Sequence, residues 1–240
     1  MVKWSVRLLL AAIAVLLAAI AGFVIYAQFD YGPSAELKER VAVDALERDG
    51  SGLIFQPEKP NGKGVILYQG AKVEAAAYAY LAEKLQAAGY TVAIPDMPLK
   101  FPILAAGKAD EVIATYPAVE KWFIGGHSLG GVAAAQYAEE HQDELAGLYF
   151  LAAYPVGDFA LSDLPMLSVS AENDGLTLPQ DIKERQMLFS ANSEFIEIAG
   201  GNHAQFGLYG EQKNDLPAAI SPLDQQDQVA QALLDWMANK

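Results

Sequence analysis

Short apolar runs alternate with longer segments of helical periodicity over most of the chain, and this order constrains the fold more than any other feature. Such an alternation is typical of parallel sheets, whose strands need crossover helices to connect them. We therefore predict one α/β domain over residues 35–240, with a mainly parallel, twisted sheet and helices on both faces. The predicted strands are residues 65–68, 91–94, 122–124, 147–151, 166–170 and 195–198. The predicted helices are residues 74–88, 103–115, 129–140, 179–189 and 223–237.

Two further predictions concern the start and the middle of this domain. Residues 41–46 and 52–56 flank an Asp49-Gly50 pair, which favours a tight turn, so we expect an antiparallel hairpin at one edge of the sheet. Only residues 154–165 separate the fourth and fifth of the strands listed above, which is too short a segment for a helical cap domain. The functional site is therefore expected to be open.

Residues 1–30 form a separate unit in the sequence. Lys3 and Arg7 precede an uncharged run at residues 8–27, which as a helix is about 30 Å long and can cross the hydrocarbon core of a bilayer. Both cations lie before the run, so the positive-inside rule puts the N-terminus in the cytoplasm and the domain outside the cell membrane. We interpret the run as an uncleaved single-pass anchor, followed by a short linker at residues 31–34.

Two other interpretations of the apolar run stay open. Ala19-Ile20-Ala21 before Gly22 is a small-x-small pattern typical of signal-peptide cleavage, which predicts a secreted protein. The run continues past that position through residues 23–26, and this favours the anchor. The remaining interpretation is a buried helix of the core.

The composition excludes several classes of partner and chemistry. Asp and Glu number 30 against 16 Lys and Arg, a formal net charge of −14, which repels phosphate backbones, so nucleic acid is not an expected partner. The chain has no cysteine, and this excludes disulfides, thiolate catalysis and cysteine-based metal sites. We expect no cofactor, and the sequence leaves the oligomeric state open.

A G-x-S-x-G pattern occurs at Gly126-His127-Ser128-Leu129-Gly130. It follows an apolar strand and opens a helix, which is the setting of a nucleophile elbow, where the flanking glycines let the turn close. The free amides at the start of the helix then point towards a developing oxyanion. Ser128 is the predicted nucleophile. The alternative is a glycine-rich turn without chemistry.

A serine hydroxyl needs a base to accept its proton, and the chain has three histidines. His127 adjoins Ser128, so we expect its side chain to point elsewhere, and His141 lies at the far end of the following helix. Both are expected to be structural or solvated. His203 lies in a loop directly after the strand predicted at residues 195–198, and it is the predicted base.

The base in turn needs a carboxylate that holds its tautomer and stabilises the imidazolium. Asp174 follows the strand predicted at residues 166–170, at the sheet edge where open α/β sheets bind ligands. Glu172 is the alternative, because it lies only two residues away and Asn-Asp-Gly is also ordinary turn chemistry. The order Ser128, Asp174, His203 is the one expected for a serine in such an elbow.

An oxyanion needs a second backbone donor, which in such folds comes from the loop after an earlier strand. Here that loop is residues 69–72, after the strand at residues 65–68. We expect the amide of Ala71, or alternatively that of Lys72, to donate alongside the amide of Leu129.

Four segments of the sequence carry a family resemblance. They are residues 68–73 (Tyr-Gln-Gly-Ala-Lys-Val), 96–99 (Asp-Met-Pro-Leu), 124–131 (Ile-Gly-Gly-His-Ser-Leu-Gly-Gly) and 201–207 (Gly-Asn-His-Ala-Gln-Phe-Gly). Together they resemble the bacterial α/β-hydrolases related to dienelactone hydrolase, especially a small, often membrane-anchored branch that uses serine. The resemblance extends from Gly64 to Lys240 and implies Ser128, Asp174 and His203 as a triad on an α/β-hydrolase fold without a large cap.

Two departures from that family bear on function. Dienelactone hydrolase uses a cysteine nucleophile, which this chain lacks, and this argues against transferring its substrate. Relatives of the serine branch tend to have Tyr-Pro-Gly-Gly where this chain has Gln69 and Ala71, so the shape of the oxyanion loop does not transfer either.

Three functions are consistent with these residues. The leading prediction is hydrolysis of a carboxylic ester or related small acyl compound through an acyl-enzyme. Acyl transfer to another acceptor uses the same triad, and a non-catalytic binding module can share the fold. The presence of all three triad residue types in the expected order favours an enzyme.

Overall fold

A computed structural model describes residues 2–240 as a seven-stranded sheet flanked by helices, with a long helix at the N-terminal end. The order across the sheet is β1-β3-β2-β4-β5-β6-β7. β1 pairs antiparallel with β3, and the other pairings between these strands are parallel. The strands are β1 (Gly52–Phe55), β2 (Lys63–Tyr68), β3 (Thr91–Pro95), β4 (Lys121–His127), β5 (Leu145–Leu151), β6 (Met166–Ala171) and β7 (Ser193–Ile198).

Helices cover both faces of the sheet. α3 and α7 pack together on one face, and α4 and α5 pack on the other. This arrangement confirms the predicted α/β class and the mainly parallel sheet. The helices are α1 (Val2–Ala27), α2 (Ala35–Arg40), α3 (Ala79–Ala87), α4 (Lys108–Thr115), α5 (Leu129–Glu140), α6 (Pro179–Glu184) and α7 (Pro222–Ala238).

The central strand β4 has a continuously apolar sequence because helices cover both of its faces. Successive side chains of a strand point to opposite faces, so a strand covered on both sides must be apolar at every position. Phe123 packs edge-on against Trp236 of α7 with ring centroids 5.3 Å apart, whereas Ile124 belongs to the cluster beneath α5. Gly147 of β5 gives the indole ring its space, because a Cβ there would lie 2.6 Å from it.

The predicted edge hairpin is wrong. Residues 41–46 form no strand, Val43–Ala45 is a short 3-10 helix, and β1 pairs with β3 instead. The Asp49 carboxylate accepts hydrogen bonds from two backbone amides of its own turn, those of Ser51 at 2.7 Å and Gly52 at 3.1 Å. These side-chain hydrogen bonds compete with the backbone hydrogen bonds that a hairpin would need. A single bridge between Arg48 and Leu53 is what forms in place of the hairpin.

Three of the predicted helices are each divided into a 3-10 segment and an α-helix. The 3-10 helix Pro102–Leu104 begins with a proline, and residues 105–107 separate this helix from α4. The 3-10 segments are Ala75–Tyr78 before α3, Pro102–Leu104 before α4 and Gln186–Leu188 after α6.

The carboxyl ends of the parallel strands are not covered by a cap. The connection between β5 and β6 contains no helix within residues 152–165, as its length predicted. We call the loops that follow β2 to β7 the carboxyl edge. These loops contain all of the candidate catalytic residues.

α1 is long and apolar enough over Trp4–Ala27 to cross a membrane, judged by length and composition. Its residues are exposed from Trp4 to Tyr26, so the helix is not a buried part of the core. Ala27, at its end, is buried against the domain.

Candidate active site

Ser128 lies directly after β4 and directly before α5. Its φ of 53° and ψ of −121° lie in a sparsely populated region, which costs about 1–3 kcal/mol and is found mostly at functional sites. Two glycines permit the turn, because a Cβ would lie 2.4 Å from the Tyr68 carbonyl oxygen at Gly126 and 2.2 Å from it at Gly130. The predicted strand-turn-helix geometry is therefore present.

The Ser128 side chain is accessible and free to react. It is half-buried, it makes no capping hydrogen bond to α5, and it has no other hydrogen-bond partner among residues 2–240. Its amide donates to the Leu151 carbonyl of β5 at 2.9 Å. The backbone is thus fixed while the hydroxyl stays available.

His203 and Asp174 form a buried pair on neighbouring loops of the carboxyl edge. Nδ1 of His203 lies 2.8 Å from Oδ2 of Asp174, and both side chains are almost fully buried. The other carboxylate oxygen accepts the amides of Leu176 at 2.8 Å and Thr177 at 2.6 Å. These three hydrogen bonds satisfy the buried carboxylate and orient the imidazole, whose Nε2 remains available.

Glu172, the alternative carboxylate, does not contact His203. Its side chain is exposed, and its Oε2 accepts the amide of Gly200 at 2.7 Å. The structure therefore brings Asp174, and not Glu172, to the imidazole.

Asp215 connects the loops that hold this pair, and the sequence interpretation missed it. Its Oδ1 accepts the amide of Gly175, next to Asp174, and its Oδ2 accepts the amide of Ala204, next to His203, each at 2.9 Å. Because one carboxylate holds both loops, the separation of Asp174 and His203 is fixed by more than their own hydrogen bond.

The loop after β2 offers one free amide at the expected position. The Gly70 amide donates to the Tyr78 hydroxyl at 2.8 Å, and the Lys72 amide donates to the Lys100 carbonyl at 2.8 Å. The amide of Ala71, between them, has no acceptor in the described chain. Leu129 is the first residue of α5, so its amide also has no intrahelical acceptor.

A family model described as the alpha/beta hydrolase family matches residues 64–227, more than half of the chain. The chain belongs to this family. The match does not distinguish the branch related to dienelactone hydrolase, so that part stays a prediction. No curated protein matches the chain.

Solved structures of other α/β-hydrolases show the same fold at low sequence identity. A Paleococcus ferrophilus monoacylglycerol lipase has a TM-score of 0.59 at 17% identity, over 78% of this chain and 97% of that one. MGS-MChE2, an alpha/beta hydrolase from a lagoon sediment metagenome, has a TM-score of 0.61 at 16% identity, over 82% and 99%. A thermophilic esterase from Thermogutta terrifontis has a TM-score of 0.57 at 14% identity, over 78% and 93%.

His127 of this α/β-hydrolase is structural, but its side chain does not point away from the site. The residue is buried, and its ring centroid lies 4.6 Å from that of His203. Nδ1 of His127 lies 2.9 Å from the Tyr78 hydroxyl. Burial, together with the neighbouring His203, lowers the pKa of His127 well below 6.5, so the ring stays neutral. His141 is remote, and it stacks on Tyr137.

A shallow groove borders the oxyanion loop of the α/β-hydrolase. It has a volume of about 340 Å³ and is lined by Gln69, Met97 and Lys100, among others. Among the described residues, no cluster of three or more His, Asp or Glu side chains is placed to hold a metal ion.

Proposed function

We propose that the chain is a serine hydrolase that cleaves carboxylic esters through an acyl-enzyme, with Ser128, His203 and Asp174 as its triad. The observation that carries this proposal is the buried hydrogen bond from His203 to Asp174. His203 and Asp174 lie on the same carboxyl edge as Ser128, whose backbone is strained and whose side chain is accessible. The residue next to Ser128, His127, also contacts the His203 ring.

In the proposed reaction, Ser128 Oγ attacks the ester carbonyl carbon while its proton passes to Nε2 of His203. The amides of Ala71 and Leu129 donate to the oxyanion. The bond to the alcohol oxygen then breaks, and His203 returns the proton to the departing alcohol. Water then attacks the acyl carbon while one of its protons passes to Nε2 of His203. The bond to Ser128 Oγ breaks, and His203 returns that proton to Oγ, which releases the acid and restores the free hydroxyl. Asp174 stabilises the imidazolium in both halves.

Labelling with a fluorophosphonate tests the nucleophile, and a panel of p-nitrophenyl esters of increasing acyl length tests the reaction. We expect the wild type to be labelled and active and Ser128→Ala to be neither. Equal labelling of both proteins would contradict the proposal. An unlabelled and inactive wild type would favour a non-catalytic binding module. Added alcohols or amines that raise product formation would indicate acyl transfer.

We also propose that α1 holds the domain at the outer face of the cell membrane. The length and exposure of α1 and the two cations in its first two turns, Lys3 and Arg7, support an anchor. Fractionation of the full chain tests this, with the expectation that it partitions with membranes. Recovery from the medium of a mature chain beginning at Gly22 would instead support a cleaved signal peptide.

A further inference from the structure

The end of α1 packs against the same loops that form the oxyanion side of the active site. The ring of Phe23 lies 5.2 Å from that of Phe101, and Lys72 Nζ lies 3.8 Å from the centre of the Tyr26 ring. Ala27 is 2% exposed. Lys72 follows Ala71 in the oxyanion loop, so α1 contacts this loop directly.

The linker after α1 is bound to the domain rather than free. The Tyr31 amide donates to the Lys72 carbonyl at 2.7 Å, and the Glu74 amide donates to the Tyr31 carbonyl at 2.9 Å. Lys100 forms an ion pair with Asp30. A segment fixed by these contacts cannot act as a flexible tether, so the position of α1 sets the orientation of the domain.

The distance from this attachment to the nucleophile is short. The Gln69 carbonyl packs so closely on the elbow that a Cβ at Gly130 would lie 2.5 Å from it. Lys72 is three residues further along, a reach of at most about 11 Å. Phe23 and Tyr26 belong to the last two turns of the proposed span, so their contacts bring Phe101 and Lys72 to the boundary of the hydrocarbon core, beside a headgroup layer that is about 5–7 Å thick on each side. The active site then lies at or just above that layer.

Exposed apolar side chains occur on other loops of the same edge. They belong to the loops after β3, β6 and β7, so the carboxyl edge carries them on both sides of Ser128. Such a rim suits contact with a bilayer surface, and it is continuous with the proposed anchor. The residues are Ile103, Leu104, Leu176, Leu178 and Leu216.

We infer that the carboxyl edge faces the bilayer and that the substrate is an acyl ester dissolved in that bilayer. This inference rests on the proposed function, because it needs both the hydrolase and the anchor. The ester bond of such a substrate lies near the headgroup boundary, so it reaches Ser128 without leaving the membrane. The open site has no cap to close over a ligand drawn from water.

The test uses the full chain in phosphatidylcholine vesicles with two substrates that share one fluorescent leaving group. Methylumbelliferyl palmitate is dissolved in the bilayer, and methylumbelliferyl acetate is dissolved in water. In a spaced variant, about 20 proline-rich residues are inserted between Gln28 and Phe29, which extends the connection by about 60 Å. We expect the ratio of palmitate to acetate hydrolysis to fall at least tenfold, because only the palmitate rate needs the edge at the surface.

If the insertion impairs folding, the spaced variant will lose acetate hydrolysis as well. A double substitution with its control then tests the inference without an insertion. Leu104→Ser with Leu178→Ser should lower the same ratio at least tenfold. The control is Met187→Ser, an exposed apolar residue between α6 and β7 that does not belong to the rim, and it should leave the ratio unchanged. A smaller fall in the folded variants, or an equal fall in the control, overturns the inference.

These outcomes separate the inference from the proposed function. If the intact chain hydrolyses the acetate and is labelled at Ser128 while the ratio does not respond, only the bilayer substrate is wrong. If the intact chain hydrolyses neither ester, the hydrolase proposal fails, and this inference fails with it. A mature chain that begins at Gly22 has lost the span, and this too overturns the inference.

Discussion

The Tyr78 hydroxyl lies 2.9 Å from Nδ1 of His127 while it accepts the amide of Gly70 at 2.8 Å. Since the hydroxyl already accepts from Gly70, its own proton is free for donation to an unprotonated Nδ1 of the neutral His127 ring. The hydrogen bond therefore joins the oxyanion loop after β2 to the elbow after β4. The two proposed oxyanion donors, Ala71 and Leu129, lie on the two sides of this link.

Tyr78→Phe should destabilise the protein and slow catalysis without changing the nucleophile or base. The substitution leaves the Gly70 amide without its acceptor in a buried place, which costs about 1–3 kcal/mol. We expect kcat to fall more than KM changes, because the loop positions Ala71, the proposed oxyanion donor. Urea unfolding and ester kinetics measure both. Tyr80→Phe, which removes an exposed hydroxyl bound to Asp227, is the matched control and should be nearly neutral.

His127→Asn should reduce the loss of stability in acid. The pKa of His127 is lowered in the folded state, so below about pH 6.5 the unfolded chain binds a proton that the folded chain does not. Stability is therefore lost as pH falls below 6.5, by at most about 1.4 kcal/mol per pH unit for one group. The asparagine oxygen can still accept from Tyr78 but does not titrate. Free energies of unfolding at pH 7.5 and 5.5 should differ less in this variant, and an unchanged difference would contradict the assigned neutral state.

Ser128→Ala and His203→Ala should each lower kcat by about a thousandfold or more, because they remove the proposed nucleophile and base. Ser128→Ala should leave the melting temperature almost unchanged, since the hydroxyl has no hydrogen-bond partner among residues 2–240. His141→Ala is the histidine control and should retain activity. Loss of activity in His141→Ala with retention in His203→Ala would require another base.

Asp174→Asn should lower kcat by about a hundredfold to ten-thousandfold. Two amides hold Oδ1 of this residue, so the amide nitrogen of the variant would face Nδ1 of His203 and favour the wrong tautomer. Glu172→Gln should have little effect, because its amide oxygen can still accept from Gly200. Steady-state kinetics of both variants decide between the two carboxylates, and the reverse pattern would assign Glu172.

The sequence predicted features that depend on local periodicity and chain order. The strands, the elbow and the absence of a cap follow from apolar runs, two glycines and a short connection, each readable within a few residues. The roles of Tyr78 and Asp215 were not predicted, because they depend on contacts across the fold, to His127 and to two separate loops. No nearby pattern in the sequence marks them. The hairpin was mispredicted for a related reason, since pairing with β3 depends on residues about forty positions away.

The far end of the sheet has a practical consequence for labelling this protein. Lys63, at the start of β2, donates its ammonium group to the carbonyls of Met237 at 2.9 Å and Lys240 at 3.3 Å. The last turn of α7 is thereby held at the amino ends of the strands. A fluorescent protein or affinity tag fused after Lys240 would extend away from Ser128, so imaging and purification can use that position without obstructing access to the proposed nucleophile.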